Sequence, residues 1–165
     1  MSSIQTFSAW LENTPLSLTI QTVNWIIPSV QTAHILAISM AMAAATLVDL
    51  RLLGVAMREQ AAADVAQRFF PWIWRALIVL LFTGAILVIG EPGRSLQNPA
   101  FVLKMILLVI AMLLTAGLQR SLKTRPRFWE LATGGRAAPG AAAVLSLALW
   151  ISIIFAGRWI AYTGG

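Results

Sequence analysis

The sequence predicts an all-α integral membrane protein, a four-helix bundle preceded by a short amphipathic helix in the membrane interface. Three features predict it. Four apolar runs approach the length of about 20 residues that the hydrocarbon core demands. Charged residues make up only 11% of the chain, against about 25% in a soluble domain, too few to cover a water-facing surface. Lysine and arginine collect in alternate gaps between the apolar runs.

The first 25 residues form the interfacial segment. Phe7, Trp10, Leu11, Leu18 and Trp25 alternate with Ser, Thr, Gln and Asn, and Pro15 interrupts them. Tryptophans prefer headgroup depth, so Trp10 and Trp25 are expected there. No lysine or arginine occurs among these residues, and Glu12 and Pro15 break any continuous apolar core, so no cleavable signal peptide is read.

Residues 26–165 form the bundle. Its spans are expected at about Ile26–Val48, Ile73–Ile89, Phe101–Leu118 and Ala141–Tyr162. The first connection carries Arg51, Arg58 and Arg68, with Arg75 just inside the second span. The third carries Arg120, Lys123, Arg125, Arg127 and Arg136, whereas the second has only Arg94. By the positive-inside rule the two basic connections face the cytoplasm and both termini lie outside. Trp72, Trp74 and Trp129 are expected at the inner boundary, and Trp159 and Tyr162 at the outer one. An ion pair from Asp49 to Arg51, Arg68 or Arg75 would close the inner end.

Composition also excludes functions. The net charge of +6 lies in membrane-flanking loops and not on one solvated face, so nucleic acid is not an expected partner. With no cysteine and one histidine there is neither a thiolate nor a multi-histidine metal centre. No span holds paired carboxylates, no Ser/His/Asp set has workable spacing and no glycine-rich phosphate loop is present, so enzyme readings fare poorly.

Ionisable groups inside a span are costly and mark functional candidates. His34 stands eight residues into the first span, roughly 12 Å below its outer start at 1.5 Å per residue. Lys104 stands early in the third span and Arg158 near the outer end of the fourth, so all three fall in the outer part of the bundle. Glu91, in the outer connection, could join them. Ala37, Ala41 and Ala45 follow His34 at a spacing of four, and small residues so spaced admit a close neighbouring helix. His34 therefore faces the bundle. Imidazole is a common haem ligand, which makes His34 the candidate metal ligand; Lys104 and Arg158 would pair with propionates, and Met105 is a candidate sixth ligand.

Several motifs carry a resemblance. His34-Ile-Leu-Ala, Asp49-Leu-Arg-Leu-Leu-Gly54, Phe70-Pro-Trp72, Thr83-Gly84 and Asn98-Pro-Ala-Phe-Val-Leu-Lys104 resemble an uncharacterised family of small bacterial inner-membrane proteins over nearly the whole chain. That resemblance implies a bacterial inner-membrane location. More distantly, a histidine in the first span and a lysine early in a later one resemble the copper-resistance D proteins and the HemJ-type protoporphyrinogen oxidases. The second group implies b-type haem at His34 and Lys104. The further histidines and the arginine-rich pattern of that oxidase are missing here, so its activity is not carried over.

Three functions remain open on sequence alone. The first is a b-haem redox or electron-transfer subunit, with a quinone near His34 compatible with it. The second is copper or small-solute handling, although Met40 and Met42, two residues apart, point about 200° away from each other and cannot share one ion. The third is an accessory subunit of a larger membrane complex or a homo-oligomer, burying its apolar surface against partners.

Overall fold

The computed structural model describes residues 3–132 and 137–163. Two short helices, α1 (Ser3–Glu12) and α2 (Pro15–Thr22), precede the long α3 (Ile26–Leu52) and α4 (Ala62–Gly90). A five-residue turn of helix, α5 (Pro92–Leu96), leads to α6 (Pro99–Thr124), and α7 (Pro126–Ala132) precedes α8 (Ala137–Thr163). Among the described residues four helices, α3, α4, α6 and α8, are long and apolar enough to cross a membrane, which makes the chain a multi-pass membrane protein.

The long helices outrun the apolar windows of the sequence. A helix satisfies its own backbone whether lipid or water surrounds it, so hydrogen bonding carries it past the apolar limit until a stop signal appears. At the end of α3 that signal is Gly54, which takes φ 69°. The Gly54 N–H donates to Arg51 O at 3.0 Å and the Val55 N–H to Leu50 O at 2.9 Å, a Schellman closure. At the start of α6 the Asn98 side chain accepts from the Ala100 N–H at 2.9 Å, and Pro99 supplies a first-turn residue that lacks an N–H to satisfy. Pro71 lies inside α4, and the helix continues through it.

The bundle is two helical hairpins, α3 with α4 and α6 with α8, joined chiefly where α3 meets α8. The alanine stripe explains the tighter hairpin. Ala37, Ala41, Ala44 and Ala45 are all buried, and α4 presents Ala62, Ala66 and Ala76 in return, also buried. Small side chains let the backbones approach, and packing contacts drive helix association in lipid. Across α4 and α6, Trp74 Nε1 donates to Gln119 Oε1 at 2.8 Å.

The start of α1, the end of α8 and the α4–α6 connection share one end of the bundle; Arg51, Arg58 and Arg68 with Arg120, Lys123, Arg125 and Arg127 occupy the other, and Arg136 lies outside the described residues. The N-terminal segment is two helices where the sequence predicted one. Thr14 caps α2, its hydroxyl accepting from Ser17 N, and Pro15 begins the new helix. These helices dock on the bundle. Ser17 is fully buried and donates to Ile89 O at 2.6 Å, Gln21 Nε2 donates to Ser17 Oγ at 2.9 Å, and Gln97 Nε2 reaches the buried Ser8 Oγ at 2.8 Å. Trp10 and Trp25 stay on the outside, 63% and 70% exposed.

Two expectations at the basic end are corrected. Asp49 makes no ion pair among the described residues. It is 1% exposed, its Oδ2 has no hydrogen-bond partner and the Ser146 hydroxyl of α8 is turned toward the carboxyl. Arg51 instead donates its Nε–H to Gln60 O at 2.7 Å, and Arg75 lies over the Trp72 ring. Residues 49 and 51 are two apart and so diverge by about 200° around the helix. Trp129 is not a surface anchor. It is buried, and its indole N–H donates to Ser121 Oγ at 3.0 Å.

Candidate functional site

Within the half of the bundle that carries the termini, the four long helices leave a cleft of about 230 Å³. α3 contributes Ile27, Gln31 and His34, and α4 contributes Gly84, Leu87 and Val88. Phe101 and Lys104 line it from α6, and Gly157 and Ile160 from α8. Glu91, Arg94 and Ser95 stand at its mouth. The walls are mostly apolar, and the polar groups are few.

His34 is held by a hydrogen-bonded chain. Its Nδ1 is 2.7 Å from Thr83 Oγ1, and Thr83 Oγ1 donates to Val79 O, also at 2.7 Å. The order of protons follows from what each group can do. A carbonyl only accepts, so the single hydroxyl proton of Thr83 goes to Val79 O. Thr83 Oγ1 is then the acceptor toward the ring, and Nδ1 carries the N–H. This arrangement is the Nδ1–H tautomer of the neutral imidazole, which leaves the Nε2 lone pair for a ligand; in the other tautomer Nδ1 accepts the Thr83 proton and Nε2 carries the N–H. Thr83 is itself buried in the α3–α4 contact, so the ring orientation is built into the tighter hairpin.

Two glycines make room for the two candidate side chains. A Cβ on Gly84 would stand 3.6 Å from His34 Cε1, so the bare backbone of α4 lies alongside the imidazole. A Cβ on Gly157 would stand 3.6 to 3.7 Å from the Lys104 Cε, Cδ and Nζ atoms, so the lysine stem runs along the bare backbone of α8. The register between α6 and α8 is set nearby, where the buried Asn98 donates from Nδ2 to Ile160 O at 3.3 Å. Lys104 is joined to no carboxylate among the described residues. Glu91 is paired with Arg94 at 3.1 Å.

Of the residues expected at the site, His34 and Lys104 come together with Glu91 around one cleft. Met105 and Arg158 are not part of its lining. Met105 is one helical step beyond Lys104 and 41% exposed on the outside of the bundle. Arg158 is exposed and turned to its own helix, donating to Tyr162 Oη at 3.0 Å with its guanidinium 5.2 Å from the ring centre. Thr83 and Gly84 figured in the sequence only as a motif, and nothing there marked Gln31 or Gly157. A threonine followed by a glycine on a neighbouring span, at the depth of a lone histidine, is the signal that could have found the first two.

Among the described residues no three His, Cys, Asp or Glu side chains gather as a metal site. In chemical terms the cleft offers one neutral nitrogen acceptor and one ammonium donor in an apolar enclosure, with an ion pair at its opening. Such a pair suits a weakly acidic group, whose proton goes to nitrogen and whose negative charge faces the ammonium.

No curated protein and no solved structure matches the chain. Residues 7–163 match a family described as "Family of unknown function (DUF6644)", and the chain belongs to that family.

Proposed function

We propose that this chain is a small redox subunit of the bacterial inner membrane, and that its cleft takes the single-ring head of a quinol. The observation that carries this reading is the pairing in one apolar cleft of an imidazole oriented by Thr83 with a lysine ammonium that meets no carboxylate among the described residues. A quinol hydroxyl would donate to His34 Nε2, and Lys104 would stabilise the quinolate formed when that proton moves. The size supports a small head: about 230 Å³ lies just below the range of about 300–1,000 Å³ of drug-sized pockets. The arginine-rich connections support an orientation with the opposite end of the bundle toward the cytoplasm, which would put the cleft on the outer side.

A b-type haem is the second reading, and one observation favours it. A ring nitrogen held by a hydrogen bond on its far side is how proteins orient metal-ligating histidines. Lys104 would then pair with a propionate. The macrocycle, however, is larger than the cleft, and Met105 faces away from it, so haem does not fit this arrangement of the two hairpins. The distant likeness to copper-resistance D and HemJ-type proteins supports this reading at His34 and Lys104 only. Among the described residues no cluster of His, Cys, Asp or Glu supports copper.

Equilibrium binding of a short-chain quinone to the purified protein, with His34→Ala beside it, tests the proposal. Saturable binding that the substitution weakens supports it, and a Soret band lost in His34→Ala would replace it with the haem reading.

A further inference from the structure

A second space adjoins the cleft. It holds about 320 Å³ beneath the docked N-terminal helices, and its lining includes Glu12, Gln21, Gly90 and Gly93. Ile27, Glu91 and Arg94 line both spaces, so the two share a wall. Their linings differ in character. The cleft is walled largely by aliphatic side chains and Phe101, whereas the outer space presents two carboxylates, a guanidinium and an amide. Acyl chains are excluded from such a lining and water is favoured. The roof is fixed in place by the Ser17–Ile89 and Gln97–Ser8 hydrogen bonds and by Ile20, whose Cγ2 fits against the bare backbone of Gly90.

We propose that the two spaces form one water path from the termini-bearing face to His34, and that Glu91 passes protons between the imidazole and that water. The path rests on the adjoining cavities alone; the proton traffic rests on the quinol reading above. The step balances without an electron. An O–H bond of the ligand breaks and an N–H bond forms at Nε2, giving imidazolium and the ligand anion beside Lys104. The imidazolium then returns the proton to the Glu91 carboxylate, and from there to water. Charge favours that direction. Lys104 faces the same cleft and repels imidazolium, whereas Glu91 and Glu12 attract a proton toward the mouth, with Arg94 keeping Glu91 in position.

The chain has no cysteine and one histidine, so both halves of the proposal can be read without background. For the path, single cysteines are placed at Leu87 or Val88 in the cleft, and at Phe82 on the outside of the bundle as a control. The protein is reconstituted in liposomes and labelled with a charged, membrane-impermeant methanethiosulfonate. The path predicts that either cleft cysteine reacts roughly tenfold faster than Phe82→Cys. Equal, slow labelling at both cleft positions, with N-ethylmaleimide showing the thiols intact, would overturn it.

For Glu91, the readout is the rate at which Nε2 of the single histidine gains and loses a proton, followed by nitrogen-15 line broadening at Nε2 as the pH is lowered. Glu91→Gln should slow it on the order of tenfold, while leaving cysteine labelling unchanged. Unchanged exchange would overturn its role. Neither experiment uses a quinone, so failure here is distinguishable from failure of the quinol reading.

Discussion

The Nδ1 of His34 lies 2.7 Å from Thr83 Oγ1, and the hydroxyl proton of Thr83 is given to Val79 O. One buried threonine thereby decides which face of the only histidine is chemically available. It connects the α3–α4 packing to the chemistry of the cleft, since Thr83 holds its place through that contact.

The tautomer is directly observable. With nitrogen-15 label in histidine alone, the spectrum contains one imidazole. The account expects a protonated Nδ1 and an unprotonated Nε2 in the protein without ligand. A protonated Nε2 would mean that Thr83 donates to the ring instead, and Nε2 would then be unable to accept from a ligand.

Thr83→Val removes the hydroxyl and keeps the shape. Its stability cost should be small, about 0.6 kcal/mol as for other interhelical hydrogen bonds in membranes. The effect on ligand binding should be larger, of the order of tenfold, as for other partners that orient a histidine from behind. Thermal unfolding and ligand titration of the same preparation separate the two. Equal, large losses in both would make Thr83 a structural residue only.

Gly90 tests the docking of α2. A Cβ at Gly90 would come within 2.8 Å of Ile20 Cγ2. Gly90→Ala should therefore destabilise the protein by about 1–3 kcal/mol, as overpacking does elsewhere. Adding Ile20→Ala should restore part of that loss. If the double variant is no more stable than the sum of the two single ones, α2 does not sit against α4 as described.

Asp49→Asn tests whether the carboxyl at the basic end of the bundle acts as an ion-pair partner. With Oδ2 unpartnered and only the Ser146 hydroxyl turned toward the carboxyl, the substitution should change stability by no more than about 1 kcal/mol. Breaking a buried ion pair costs about 3–5 kcal/mol. A loss of that size on thermal unfolding would show that Asp49 is paired with an arginine after all.

The four spans and the convergence of His34 with Lys104 were legible in the sequence, for one reason. Helix rise is constant, so distance along a span gives depth directly. Direction around the helix is different, because it depends on which neighbour each helix meets. Arg158 has the right depth, but Tyr162 one turn further on captures its guanidinium. Met105 has the right depth too, and the 100° step from Lys104 carries it out of the cleft. Asp49 and Arg51 share the basic end of α3 but not a direction. The docked α1 and α2 were less legible because the serines and glutamines that hold them look like ordinary solvated residues until a partner carbonyl or hydroxyl is known. Trp129 was misplaced because an indole at the membrane boundary and an indole buried on Ser121 have the same sequence signature.

The central claim is that His34 and Lys104 together hold the head of a quinol. It is tested most directly by native mass spectrometry of the protein taken from its own membrane, beside His34→Ala and Lys104→Met. The account predicts one retained molecule with the mass of a membrane quinone on the unaltered protein, greatly reduced in both variants. Protein that folds and carries no such molecule, or carries a haem in its place, would contradict it.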